Sequence, residues 1–296
     1  MCCVLHDRLL GLIVVVALGG TAGTAIAPRA ARAEGKKTGP ASAKAAAKTP
    51  PPKAAAPLAA ADLAQLRAQL GGKDENAAVA AARKLGESGA RNAVEPLTEL
   101  LAMGTTPTIA VEALRALGKL RAPKAIQVLT LYAGNRNEPV RKAAVEALGV
   151  LPEGRVTGVL IERLGDSDAG IRASAASALA ARREERAAPR LFKLVAKNDP
   201  GAAAPLGTLI ASNDVPKLAE LRGRIDDSVL ATALGEFLKR TDVADRLRID
   251  VVRTLGRIPG ASATTALVEY LASIPEKDSR ASKDETQKLV DARGGK

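Results

Sequence analysis

Aromatic side chains are almost missing from this sequence: among its 296 residues there is no Trp, and Phe and Tyr number two each. A core without them must be assembled from close helix–helix contacts of Ala, Leu, Val and Ile, and stacking on nucleobases loses its usual means. Cysteine and histidine are scarcer still. Cys2, Cys3 and His6 are the only ones, all within the first six residues. Past that point the chain offers no thiol and no imidazole. Disulfides, thiolate- or His-ligated metals, and Ser-His or Cys-His catalysis are therefore excluded together for the rest of the chain. Strand-like alternation is sustained nowhere. What is abundant is Ala, with Leu behind it, in a chain that is 47% apolar. Both are strong helix formers, so the composition predicts an all-α fold.

The formal charge of +12 is unevenly spread. Residues 1–33 carry +2 and residues 34–57 carry +4, which leaves +6 for the remaining 239. That excess is mild, and nucleic acid is not needed to explain it.

Residues 1–33 have the pattern of a secretory signal peptide: Arg8 near the start, an apolar run over Leu9–Leu18, then small residues. Pro28 directly follows one Ala-x-Ala site, so cleavage is expected after the other, at Ala33. An uncleaved anchor over Leu9–Ala27 is the alternative, and the only route to a membrane. Residues 34–57 read as a disordered Ala/Pro/Lys-rich tether, since Pro40, Pro50–Pro52 and Pro57 forbid a continuous helix and no large apolar side chain is available to bury.

From Leu58 onward one pattern recurs, best seen in Val140–Leu164. Val140, Ala143, Ala144, Ala147 and Leu148 make one helical stripe; Gly149 or Pro152 ends it; Val156, Val159, Leu160 and Leu164 make a second. Leu148 serves as a mark with Leu160 twelve residues on, and the same spacing joins Leu85 to Leu97, Leu117 to Leu129, Leu179 to Leu191, Leu206 to Leu218 and Leu255 to Leu267. The first five marks lie 32, 31, 31 and 27 residues apart. A period near thirty filled by two helices predicts a solenoid of stacked antiparallel helix pairs. The polar junctions, such as Asn135–Pro139, Gly165–Gly170 and Asn198–Gly201, supply helix caps. Asp166-Ser167-Asp168 has the look of a carboxylate cation site, but at a repeated junction it is expected to be a cap. Leu63–Leu70 reads as a lone helix closing one end, and 219–247 breaks the regularity. Within it Ser228–Arg240 is a helix without a partner at the usual spacing, and the array is expected to resume at 247–256. Residues 275–296 read as a polar tail or short capping helix.

This pattern resembles HEAT repeats, in particular the short HEAT-like type associated with bilin lyases. The residues carrying the resemblance are Val140-Arg141, Ala144 and Ala147-Leu148-Gly149; Ile171-Arg172, Ala175 and Ala178-Leu179; and Leu247-Arg248, Val251 and Thr254-Leu255-Gly256. The resemblance covers 58–274 and implies a right-handed α-solenoid of about six repeats. It also implies that Arg141, Arg172 and Arg248 pair with junction carboxylates and set the register of neighbouring repeats, with Leu148, Leu179 and Leu255 as inter-repeat core. The equivalent slots at Ala78, Ala110 and Asp199 hold no Arg, so the ladder should break there. HEAT-repeat hydroxylases hold iron with His-Glu pairs, which this sequence cannot supply. HEAT-like glycosylases need aromatics that are equally missing.

No catalytic residue, metal or cofactor is expected. The expected function is a non-catalytic, periplasmic or secreted protein-interaction scaffold, with an acidic protein as partner and neither nucleic acid nor a small-molecule substrate. Glu162, Arg163, Arg186, Arg190, Lys193 and Lys197 are the expected contact residues; Arg186 to Lys197 recur at steps of four, three and four, as a basic stripe would. An accessory, lyase-like enzyme subunit and a structural protein tethered to cell-wall polymer are the alternatives from other classes.

Overall fold

The computed structural model is described over residues 56–294. The expected signal over 1–33, nearly all of the 34–57 tether, and Cys2, Cys3 and His6 lie outside the described residues. Within them are fifteen α-helices and no β-strand. In chain order they are α1 (Ala60–Leu70), α2 (Glu75–Glu87), α3 (Val94–Met103), α4 (Pro107–Lys119), α5 (Ile126–Tyr132), α6 (Glu138–Gly149), α7 (Arg155–Arg163), α8 (Ala169–Ala181), α9 (Ala188–Val195), α10 (Ala203–Leu209), α11 (Val215–Ala219), α12 (Asp227–Leu238), α13 (Asp245–Gly256), α14 (Ala261–Ser273) and α15 (Ala281–Gly294). They form an α-solenoid. The even-numbered helices stack on one another in a tight layer, and the odd-numbered ones lie over them in a looser second layer. None is long and apolar enough to cross a membrane.

The tight layer follows from three-residue marks such as Ala116-Leu117-Gly118 and Ala147-Leu148-Gly149. Leu85, Leu117, Leu148, Leu179, Leu206, Leu234 and Leu267 are all fully buried. Each contributes on the order of 2 kcal/mol by leaving water. The Gly beside the Leu is where two helix backbones touch. A methyl group on Gly86 would stand 2.7 Å from Ala116 Cα, and one on Gly118 would stand 3.0 Å from Ala147 Cα. Gly149 meets Ala178, Gly207 meets Ala233 and Gly235 meets Ala266 in the same way. Small residues on both sides let the helices approach this closely, which is how a core nearly free of aromatics reaches dense packing. In the second layer Leu97, Leu129, Leu160, Leu191 and Leu218 are likewise fully buried.

This geometry corrects the expected register after residue 219. Helix α12 is not a stray: it packs between α10 and α14 in the tight layer, with Ala233-Leu234-Gly235 as its mark. Helix α13, which holds the echo at 247–256, lies in the second layer beside α15. The reason is steric. Ala116, Ala147, Ala178, Ala233 and Ala266, each just before a mark, receive the Gly of the preceding tight-layer helix, whereas α13 has Thr254 at the matching place. Leu255 is buried, but as a second-layer core residue, and Leu267 is a tight-layer mark of its own rather than its partner. The described residues thus contain seven helix pairs after α1.

Helix starts are capped where the junctions predict. Asp74 accepts from the backbone of Asn76 and Ala77, Asn137 from Val140, and Asp168 from Ile171. Helix α15 is tied down through its first turn. Asp245 accepts from the Ser282 backbone and hydroxyl, and the buried Tyr270 hydroxyl is 2.7 Å from Ser282 Oγ.

Candidate functional site

The junction between the third, fourth and fifth helix pairs is organised by two arginines on first turns of tight-layer helices. Arg141 of α6 grips Asp166 with two hydrogen bonds of 3.0 Å, from Nε and Nη2, while its Nη1 donates to the carbonyls of Asn135 and Arg136. Arg172 of α8 repeats the arrangement one unit on: Nε donates to Asp199 at 2.6 Å, and Nη1 to the carbonyls of Asp166 and Ser167. Each arginine therefore holds its own junction and the next. The pairs are largely shielded from water, with side-chain exposures of 14% and 4% for Arg141 and Asp166. Burial by itself would raise the Asp166 carboxyl. Hydrogen bonds from Arg141 and the Asp168 backbone, with the charges of Arg141 and Arg163, outweigh burial and hold it below the usual carboxylate range.

Two expectations about this ladder need correction. Asp199 does not occupy an arginine slot; it is the carboxylate that receives Arg172, in the place Asp166 holds one unit earlier. The ladder therefore joins the fourth pair to the fifth at Asp199, and no arginine of the fifth pair carries it further among the described residues. Beyond Asp199, Asn198 and Asp226 exchange hydrogen bonds of 2.6 and 2.8 Å, extending the polar contact by one more unit. Arg248 is no part of the ladder. It is buried in α13, donates to the Arg240 carbonyl at 2.6 Å, and makes no ion pair among the described residues. Its second-layer position takes it away from the junction carboxylates. Asp168 acts as a cap, and the described residues hold no cluster of three or more His, Cys, Asp or Glu fit for a metal.

The expected contact residues divide into two groups. Arg186, in the turn Glu185–Ala187, and Arg190, Lys193 and Lys197 along and just after α9 are all exposed. Arg186 makes one loose ion pair to Glu184 at 3.4 Å, and Arg190, Lys193 and Lys197 make none among the described residues. Arg190 lies against Gly165, so its guanidinium stands over the C-terminal end of α7, where the helix carbonyls favour a cation. Lys197 stands at a cleft of about 690 Å³ that is also lined by Asp166, Arg172, Asn198 and Asp199. In α7, Glu162 is exposed, while Arg163 is held within the stack. Arg163 donates to the Ala133 carbonyl at 3.3 Å and to Glu162 at 2.8 Å, and its side chain is only 21% exposed. Arg163 is therefore a bridge between α7 and α5 rather than a free contact residue.

Periodicity alone missed two features. One is a set of arginine pins that reach back one unit: Arg182 donates to the carbonyls of Leu151 and Glu153, Arg240 to Ile210, and Arg293 to Leu255, Gly256 and Ile258. The other is the exposure of Met103 and Leu131, at 79% and 73%. Counting from the marks reveals the second: Leu131 takes the outward place held by Glu99, Glu162 and Lys193 in the neighbouring pairs.

A family model described as HEAT repeats matches residues 63–149 and 131–204. No curated protein sequence matches the chain. Among solved structures, the chain is similar to the complex of CpcE and CpcF of phycocyanin lyase from Nostoc sp. PCC7120, at 20% identity over 83% of this chain and 98% of that one, with a TM-score of 0.43. It is also similar to a designed armadillo repeat protein, at 18% identity over 78% of this chain and 99% of that one, with a TM-score of 0.37.

Proposed function

Since the chain is a HEAT-repeat protein, we propose that its solenoid is a non-catalytic scaffold of the cell envelope that binds an acidic partner protein through the second-layer face of the fourth helix pair. Solenoids present long surfaces from neighbouring repeats, and such surfaces commonly serve protein recognition. The observation that carries the choice of face is the row Arg190, Lys193 and Lys197, three exposed cations without an ion pair among the described residues. Exposed cations elsewhere are matched in some places, as Arg67 by Glu99, Lys239 by Glu236 and Glu269, and Arg253 by Glu285. In others, as at Lys84, Lys124 and Arg155, they are unmatched among the described residues. Along and just after α9, three unmatched ones gather at steps of three and four. The envelope assignment rests on the sequence pattern of residues 1–33 alone.

The test is capture from an envelope extract on the immobilised full chain, beside the variant R190E/K193E/K197E. The expected result is an acidic protein retained by the parent and lost by the variant, with unchanged helicity and melting. Equal retention would leave the strip as ordinary solvated surface. N-terminal sequencing of the protein from its host should find Glu34 first, and an intact Met1 in membranes would replace export with anchoring.

A further inference from the structure

The exposed apolar pair and the free cations lie along one row of the second layer. Helices α3, α5, α7 and α9 are joined through their C-terminal turns. The Tyr132 hydroxyl donates to the Leu101 carbonyl at 2.7 Å, Arg163 donates to the Ala133 carbonyl at 3.3 Å, and Arg190 rests on Gly165. Met103 closes α3 and Leu131 lies in the last turn of α5, so both exposed apolar side chains stand at the same end of neighbouring helices in this row. Two helices further on come Lys193 and Lys197. Between them lies Glu162, matched by Arg163 at 2.8 Å.

We propose that this row is one docking track, and that its occupant is an extended acidic segment of a partner protein carrying a single apolar anchor. The anchor covers Leu131 and Met103, and the carboxylates reach Arg190, Lys193 and Lys197. The proposal rests on the reading of α9 as the acidic partner's site and adds the anchor and the spacing. With neighbouring helices about 10 Å apart, Leu131 on α5 and Lys193 on α9 are about 20 Å apart. An extended chain covers that in about six residues. The stretch between should be neutral, because Glu162 repels further carboxylates.

The experiment uses the full chain and three fluorescein-labelled synthetic peptides read by anisotropy at low salt. The first carries Leu, six Gly/Ser residues and four Glu; the second replaces Leu with Ser; the third shortens the spacer to one residue. The first is expected to bind about tenfold more tightly than either of the others, the scale set by covering one leucine-sized side chain. M103S/L131S should abolish that advantage without changing binding of the second peptide, while K193E/K197E should weaken all three. Both substituted pairs are exposed, and circular dichroism checks that the variants fold. Equal affinity for the first and second peptides overturns the anchor and leaves the charge reading standing. Peptide binding indifferent to K193E/K197E overturns both. Sedimentation with phosphatidylglycerol vesicles that depends on Leu131 overturns the peptide track in favour of a membrane surface.

Discussion

Replacing Gly with Ala should move stability in opposite directions at two helical positions, Gly86 in the last turn of α2 and Gly158 within α7. In an open helix the change stabilises by about 0.5–1 kcal/mol, because Ala loses less backbone freedom on folding. At Gly158 nothing stands within 4 Å of the new methyl group, so the full gain is expected. At Gly86 the methyl would sit 2.7 Å from both Cα and Cβ of Ala116. Carbon atoms rest at about 3.5–4.0 Å, so the overlap is close to 1 Å. Its partner is the backbone of α4, which cannot rotate aside as a side chain would. Overpacking of that kind costs about 1–3 kcal/mol, which exceeds the propensity gain. The two variants should therefore differ by about 2 kcal/mol, with G158A above the parent and G86A below it. Urea melts followed by circular dichroism give the ordering. Hydrogen exchange should then place the loss at G86A in α2 and α4, since repeat arrays open unit by unit. If G86A stabilised as much as G158A, the tight layer would not be in backbone contact there, and the account of its packing would be wrong.

Two further outcomes test the ladder and the register. D166N should lower stability by about 1–3 kcal/mol at neutral pH, the range for a charge-assisted hydrogen-bonded group. Because the Asp166 carboxyl is held below its usual value in the folded chain, its contribution is complete above the unfolded value near ~3.9 and is lost as pH falls through the lower folded value. Chemical melts should thus show a constant gap between parent and variant from neutral pH to about 5 and a closing gap in acid; a gap that widens in acid would contradict the pairing. For the register, A233T should destabilise by about 1–3 kcal/mol and T254A should stay within about 0.5 kcal/mol of the parent. The reverse order would return α13 to the tight layer.

The repeat itself was legible because each unit must hide a helical stripe that it cannot bury alone, so Leu148 and its counterparts recur at fixed distance. The caps were legible for a similar reason: Asp168 and Asn137 act on backbone groups three residues away. The second half of the chain was misread because the echo of Val140-Arg141 at Leu247-Arg248 is a likeness of outward pattern. Membership of the tight layer depends on whether a backbone can come close, and at five of the seven marks the sign of it is an Ala before the Leu that meets the Gly of the preceding helix. Ala233-Leu234-Gly235 carried the signal in plain view. Asp199 was misplaced for a related reason, since the distance from an arginine to its carboxylate is 25 residues in one unit and 27 in the next.

From the amino-acid sequence alone came the all-α class, the stacked helix pairs, the exclusion of thiol and imidazole chemistry past residue 6, and the basic character of α9. These depend on composition and short-range periodicity, which act within one or two turns of helix. Tertiary structure alone decided which helix lies in which layer, which arginines are spent on holding units together, and which cations stay free. Arg163 and Arg190 look alike as residues, yet one bridges to the Ala133 carbonyl and the other keeps its charge at the surface. That difference arises from the packing of one unit on the next, at separations near thirty residues, where local propensity has no say.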